Sequence, residues 1–185
     1  MKKGVLLLLL AGVIAMSAMN SSCKKNDDNN TTTMTLYDSL GGTTMVQDPA
    51  NTSMMIEKGR LGIRSVVDSA IFVIAADNQL NGFFTVLLAE VTSGNTTGFE
   101  ALSKNLTDFI CVAAGAKNFS YGGKNMVAAH DPAQNSRMNG KATSANFDQF
   151  LTDVGIAAKK CGLSDQLIGQ VAARLNTVRS QVVQQ

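Results

Sequence analysis

Apolar residues recur at the spacing of an α-helix along four long stretches of the chain. These stretches predict helices at about 61–76, 99–114 and 145–162 and from residue 164 onward, each with one apolar face. Long strand-like alternation is scarce, Trp is absent and there are only two prolines. The pattern therefore predicts an all-α protein.

Glycines and short polar side chains mark the ends of these helices. Gly41–Gly42 follow a short amphipathic segment that begins at Leu36, and Gly115 and Gly162 follow two of the long helices, where glycine accommodates a left-handed cap at little cost. Residues 43–58 are polar, contain Pro49 and are predicted to be irregular. The N-caps are predicted at Ser144 and Ser164.

The stretch YGGKNMVAAH, residues 121–130, contains the single histidine of the chain. Gly122–Gly123 suit a turn with unusual backbone angles, and a short helix should follow them. Met126 and His130 are four residues apart and so share one helical face. Pro132 predicts that this helix ends near His130. The imidazole is therefore expected at the end of a short helix, facing the space between helices.

A lone histidine has a plainer interpretation, as a partly exposed or internally hydrogen-bonded side chain. No companion motif supports a Ser-His-Asp arrangement, and the sequence contains no phosphate-binding loop. From residue 35 onward there are 12 basic and 12 acidic residues, so nucleic acid is not an expected partner.

Two cysteines lie in apolar helical stretches, Cys111 and Cys161. An exported protein could join them in a disulfide, but their apolar surroundings favour two buried free thiols. They form no CxxC pair, and one histidine does not complete a zinc site with them at any familiar spacing.

The N-terminus resembles a bacterial lipoprotein signal of the Bacteroidetes type. Lys2 and Lys3 precede an apolar run at 5–18, and small residues lead into Cys23; Asn20 departs from the usual pattern. The resemblance implies a signal peptide at 1–22, lipidation of Cys23, and export to the periplasmic face or cell surface with a membrane anchor. Ordinary secretion is the alternative. Residues 23–34 are polar and are expected to form a flexible tether.

The order of the predicted helices and four segments resemble the truncated haemoglobin family, most closely its group 1. The segments are LYDSLGG at 36–42, VVDSAIFVIAADNQLNGFF at 66–84, YGGKNMVAAH at 121–130, and FDQFLTDV…GLSDQLIGQVAARL at 147–175. The resemblance covers roughly residues 35–183. It implies a domain at 35–185 with the truncated globin-like two-over-two helical sandwich around haem b.

The resemblance assigns roles to individual residues. His130 falls on the proximal ligand of the haem iron, which should bind the metal through one ring nitrogen and donate from the other to a nearby carbonyl. Phe84 falls on the haem-stacking phenylalanine, and Met126 is expected to pack beside the haem. Gly41–Gly42 and Gly122–Gly123 fall on the two glycine hinges of the family.

The distal side departs from the family. The position of the distal tyrosine falls on Ile71. The position of the distal glutamine falls on Leu106, and a second distal position falls on Leu102. A slip of one residue would instead place Phe72 there, which is no hydrogen-bond donor either. Two insertions, near 43–65 and 85–98, are also long for connections in a compact domain.

Three functions are compatible with this reading. The first is a membrane-anchored haem globin that binds a diatomic gas (oxygen, carbon monoxide or nitric oxide) in an apolar pocket. The second is a globin-derived lipoprotein without haem that serves as a structural or interaction module. The third is an enzyme such as a nitric oxide dioxygenase, which the missing distal Tyr and Gln disfavour because haem-bound oxygen is polarised and is stabilised by a donor.

Overall fold

The computed structural model describes residues 34–185. The signal peptide predicted at 1–22, Cys23 and the tether up to residue 33 lie outside the described residues. In chain order the elements are α1 (Leu36–Ser39), β1 (Met45–Asp48), β2 (Asn51–Glu57), α2 (Lys58–Ala76), a 3₁₀ turn (Asn81–Phe84), α3 (Thr85–Thr92), α4 (Thr97–Ala113), α5 (Met126–His130), α6 (Ser144–Lys160), α7 (Asp165–Asn176) and α8 (Arg179–Val182).

Four long helices carry the fold. Helix α2 packs against α4 and α6, and α7 packs against α6 and α4, so the four helices form two contacting layers. The predicted all-α class is confirmed by this arrangement. On α4 the buried residues include the polar Ser103, Thr107 and Asp108, whereas Leu102 and Leu106 are half-buried. Within residues 34–185, one two-stranded hairpin is the exception to the helical class.

The main core lies where these helices meet. Val67 and Ala70 of α2, Cys111 of α4 and Ala157 of α6 are each at most 1% exposed. Tyr37 of α1 joins them and is 2% exposed. Small residues at these positions let the helices approach closely, and the larger apolar side chains fill the remaining space.

The segment predicted to be irregular, residues 43–58, is instead an antiparallel hairpin followed directly by α2. Val46 pairs with Ile56, and the register is irregular between Gln47 and Asp48, next to the turn. The Asp48 carboxylate makes two hydrogen bonds to the Arg64 guanidinium, at 2.7 and 3.1 Å, which fasten the hairpin along α2. This ion pair lowers the pKa of Asp48 to about 2.

A buried carboxylate joins the end of the hairpin to the rest of the core. Glu57 Oε2 accepts a hydrogen bond from the Tyr37 hydroxyl at 2.7 Å, and Oε1 accepts one from Asn118 Nδ2 at 2.6 Å. Burial and the neighbouring Glu57 raise the pKa of Tyr37 well above its usual range. The hydroxyl therefore remains a donor, and the buried acceptor is satisfied.

Helix ends match the prediction at some positions and differ at others. Gly41, Gly42, Gly115 and Gly162 have positive φ angles, as expected for glycines that end helices. Ser164 caps α7, but the cap of α6 is Thr143 instead of Ser144, because Thr143 and Asn146 form a reciprocal capping box.

Three further predictions need correction. Gly122 and Gly123 do not have positive φ, so the turn before α5 does not require their special backbone freedom. The last helical stretch is broken after Asn176, and α8 forms a separate turn. Cys161 is exposed because it follows the last residue of α6, whereas Cys111 is buried as predicted; both thiols are free.

No single helix between residues 34 and 185 is long and apolar enough to cross a membrane. Helix α2 and the segment 81–92 together pass the same test of length and composition, but they are bent by 106° relative to each other.

The contact between α1 and the start of α2 depends on Gly59. A Cβ atom there would lie 2.9 Å from Tyr37 Cζ and 3.0 Å from the Gly42 backbone. We expect Gly59→Ala to reduce the free energy of unfolding by about 1–3 kcal/mol, because the Gly42 backbone would have to shift to make room for the added methyl group. Gly169→Ala is the matched control: it lies inside α7 with nothing within 4 Å and should raise stability by about 0.5–1 kcal/mol. Urea unfolding of both variants measures the difference, and equal effects would contradict the packing argument.

Candidate functional site

A cavity of about 610 Å³ lies between the two layers of helices. Its wall is formed by side chains from α2 to α8 and is mostly aliphatic and aromatic. All six cavity residues singled out from the sequence line it, namely His130, Phe84, Ile71, Leu102, Leu106 and Met126. The fold therefore brings together residues that are up to 59 positions apart in sequence.

Short-range interactions position His130. Asn125 caps α5 by accepting a hydrogen bond from the Ala128 amide, and Asp131 is extended, as expected before Pro132. Two carbonyl groups of this short helix accept side-chain hydrogen bonds: Ala129 O from Asn135 Nδ2 at 2.7 Å, and Val127 O from Gln184 Nε2 at 2.9 Å. The helix is thus fixed at both ends, and the imidazole has a defined position.

The imidazole of His130 is held in one tautomer. Its Nδ1 lies 2.8 Å from the Met126 carbonyl oxygen, which only accepts hydrogen bonds, so Nδ1 carries the proton. Burial lowers the pKa of His130 below 6.5, and the bond to Met126 opposes this shift. At neutral pH the ring is therefore uncharged, and Nε2 is left with a lone pair that can bind a metal.

The wall formed by α2 and α4 is apolar. Ile71, Leu102 and Leu106 line the cavity, and Ile71 and Leu106 also pack against the main core. Phe72 is 68% exposed and lies at the rim, where its ring is 5.9 Å from that of Phe99. Ile71, rather than its neighbour, is thus the α2 residue that faces inward at this level.

The insertion near 85–98 contributes a wall that the sequence did not predict. It contains α3, whose Leu87, Leu88 and Val91 line the cavity. Glu90 of the same helix binds the Arg137 guanidinium Nε at 2.9 and 3.0 Å. This helix packs closely on Gly98, where a Cβ atom would lie 2.7 Å from Leu87 Cδ1. The apolar run at 85–91 was the available signal for a helix here.

Most polar side chains of the lining already have partners. The Thr96 hydroxyl donates to Glu100 and the Tyr121 hydroxyl to the Lys124 carbonyl, both bonds being short at 2.7 and 2.6 Å. Lys124 Nζ donates to the Gln134 carbonyl at 2.7 Å. Asn105 is a further polar residue of the wall, one position before Leu106. The cavity thus offers few groups for recognising a polar molecule.

Within the described residues, a metal in this cavity would have a single protein ligand. Among residues 34–185, no three His, Cys, Asp or Glu side chains gather into a metal site. His130 would therefore suit a metal whose remaining ligands are supplied by a prosthetic group, as in haem proteins.

The arrangement of helices in two layers is the fold of truncated globins, as solved structures show. Structures of truncated haemoglobin from Tetrahymena pyriformis, in its Fe(III) form and as an Fe(III) point mutant, align with a TM-score of 0.57 and 21% identity, covering 80% of this chain and 97% of the other. A group 1 truncated haemoglobin from Tetrahymena thermophila is 28% identical over 106 residues, 57% of this chain and 73% of the relative. No family profile matches the chain.

The state of His130 predicts how the haem-free protein responds to acid. Because the folded pKa is lowered below 6.5, the unfolded chain binds a proton more readily, and stability should fall as pH decreases from 6.5 toward the folded pKa. The loss cannot exceed about 1.4 kcal/mol per pH unit for one proton. Unfolding of wild type and His130→Gln across this range measures the effect. The two profiles should diverge below pH 6.5, and parallel profiles would contradict it.

Proposed function

We propose that this protein is a haem-binding globin that binds a diatomic gas, with His130 as the axial ligand of the iron. The observation that carries the proposal is the neutral imidazole in the apolar cavity, with Nδ1 bonded to Met126 O and Nε2 free to bind a metal. Similarity to truncated haemoglobins supports the same assignment. When bound, haem b would supply an iron centre with an open coordination position for oxygen, carbon monoxide or nitric oxide.

The lining fits the two chemical parts of a haem. Phe84 and Met126 offer an aromatic and a polarisable surface for the apolar ring system. The two basic side chains of the lining, Lys124 and Arg137, suit the two carboxylates of the group. Arg137 already binds Glu90, and its side chain is 45% exposed, so it can reach a second carboxylate at the rim.

The wall formed by α2 and α4 would determine which gases bind well. Ile71, Leu102 and Leu106 have no hydrogen-bond donors, and Asn105 is the polar residue of α4 that lines the cavity. Oxygen becomes polarised when it binds to haem and gains from a donor, whereas carbon monoxide is much less polarised. We therefore propose weak, rapidly released oxygen, a strong preference for carbon monoxide, and easy oxidation of the iron.

Replacing the axial ligand tests haem binding. The protein purified with haem should show a Soret band, and His130→Gly should lose it, because no other imidazole exists in the chain. Adding free imidazole to His130→Gly should restore the spectrum by filling the same space. Circular dichroism of the variant checks that the helices remain.

The two possible failures have different meanings. A wild-type protein without a Soret band would support the haem-free structural module instead. An unchanged ferrous spectrum in His130→Gly, or a bis-histidine spectrum in the wild-type monomer, would show that the ligand is assigned wrongly.

A second variant tests the apolar wall. Adding a donor with Ile71→Tyr should slow oxygen dissociation by about tenfold to a hundredfold, since a hydrogen bond to a strongly polarised acceptor contributes about 1.5–3 kcal/mol. Carbon monoxide dissociation should change much less. Stopped-flow measurements of both gases provide the rates.

Ile71→Phe is the matched control, because it adds the same ring without the hydroxyl. If both variants slow oxygen release equally, the cause is size and not hydrogen bonding. If the wild type already releases oxygen slowly and Ile71→Tyr changes nothing, another donor is present and the apolar-wall proposal fails.

We also propose that the protein is exported and held at a bacterial membrane by acyl chains on Cys23. The support is the sequence alone: Lys2–Lys3, the apolar run and the cysteine after small residues. The intact mass of protein from the membrane fraction should match a chain that begins at a lipidated Cys23. Cys23→Ser should move the protein to the soluble fraction, and a variant that remains membrane-bound would contradict the anchor.

A further inference from the structure

Two carboxyl groups from different helices meet at the end of α2. Asp77 is the residue that follows the last turn of α2, and Asp153 lies in the middle of α6, where it is 2% exposed. The two side chains are near enough that, in addition to burial, the charge of Asp77 and a hydrogen bond with it raise the pKa of Asp153. Two carboxylates at such a distance repel each other strongly unless a proton or a cation lies between them.

Each carboxyl group has one oxygen that is satisfied and one that is not. Asp77 Oδ1 accepts from the Gln79 amide at 2.8 Å, and Asp153 Oδ1 accepts from Gln149 Nε2 at 3.1 Å. The Oδ2 atoms of both residues are buried and receive no hydrogen bond from residues 34–185. Buried acceptors without a donor are rare, so this pair calls for an explanation.

Among residues 34–185, no basic side chain forms an ion pair with Asp77 or Asp153. On the elements packed against α6, Arg179 of α8 binds Asp148, and Asp165 of α7 binds Lys159 at 3.0 Å. On α2, Asp68 faces α4 and accepts from Ser103. Arg174 of α7 is exposed, and Lys160 lies with Asp77 along a shallow surface groove.

We propose that Asp77 and Asp153 share one proton, which lies between their Oδ2 atoms and fastens the end of α2 to α6. A carboxylic acid donating to a carboxylate satisfies both buried oxygens with one strong, charge-assisted hydrogen bond. The pair then carries one negative charge instead of two. If both groups were ionised, they could only accept hydrogen bonds, and both Oδ2 atoms would lack a donor. One shared proton gives both atoms a hydrogen-bond partner.

The protonation state of the pair can affect the wall of the cavity, because the pair lies at the end of α2. Ile71, Ile74 and Ala75, in the last turns of α2, line the cavity directly before Asp77. Loss of the proton would place a second negative charge at this contact and weaken the attachment of the end of α2 to α6. The consequence for the cavity, unlike the pair itself, rests on the proposed function.

The direction of the pH effect follows from the environment. Burial, and then the charge of Asp77, raise the pKa of Asp153 above 3.8. The stabilising contribution is complete below the unfolded value of 3.8 and is lost as pH rises through the folded pKa. In that window folding takes up one proton, which is opposite to the effect of His130.

Carbon-13 NMR of the aspartate carboxyl groups tests the shared proton directly. In the full chain, the Asp153 signal should titrate above pH 3.8. The Asp77 signal should change its chemical shift in the same step, because a proton shared between the two carboxyl groups is lost from both. In Asp77→Asn the Asp153 step should move to lower pH, because the like charge is removed. A wild-type Asp153 signal that titrates at or below pH 3.8, independently of Asp77, would overturn the proposal. This result does not depend on haem.

Stability differences provide a second measurement. Asp153→Asn keeps the shape of the side chain and supplies a permanent N–H donor for Asp77. Above pH 3.8 the unfolding equilibrium constant of wild type should rise relative to this variant, by up to tenfold per pH unit, until the folded pKa is passed. Comparing the two proteins cancels the effect of His130, which both contain.

Asp148→Asn is the matched control on the same helix, because Asp148 is exposed and paired with Arg179. Its profile relative to wild type should stay flat in the same window. If Asp153→Asn and Asp148→Asn give the same profile, or if Asp153→Asn is flat, the pair shares no proton and the proposal is wrong.

Discussion

The burial of α2 on two sides is the constraint on which the rest of the structure depends. This helix packs against α4 along one face and against α6 along another, and it also meets α1 and the hairpin. A helix with so many neighbours tolerates little bulk, which explains Ala70 in its centre and Gly59 at its start. Once α2 is fixed, the space left between the layers becomes the cavity.

The cavity differs from ordinary core in having one imidazole among apolar side chains. Met126 and His130 are one helical turn apart, so the backbone carbonyl of the first meets the ring of the second within the same five-residue helix. Geometry within the helix thus sets the tautomer of His130, and contacts with the rest of the fold determine only where the helix lies. This separation explains how a short segment can hold an imidazole in a defined orientation although its own hydrogen bonds are few.

Local signals in the sequence predicted the helix that ends at His130 better than they predicted the insertions. The helix that ends at His130 follows from Asn125, Pro132 and the spacing to Met126, all within eight residues. The hairpin was missed because Met45, Met54 and Met55 are exposed, so its strands lack a clear apolar alternation. Its position depends on the distant Arg64 and Tyr37, and no local pattern contains that information.

The way in which helix α3 is attached determines how freely this part of the molecule can move. It is a short helix in the wall of the cavity, and its link to the loop after α5 is the partly exposed Glu90–Arg137 ion pair, which dissolved salt weakens. Elements with few buried contacts open locally long before the whole protein unfolds. The attachment of α3 to this loop should therefore weaken as ionic strength rises, while the four-helix core stays intact.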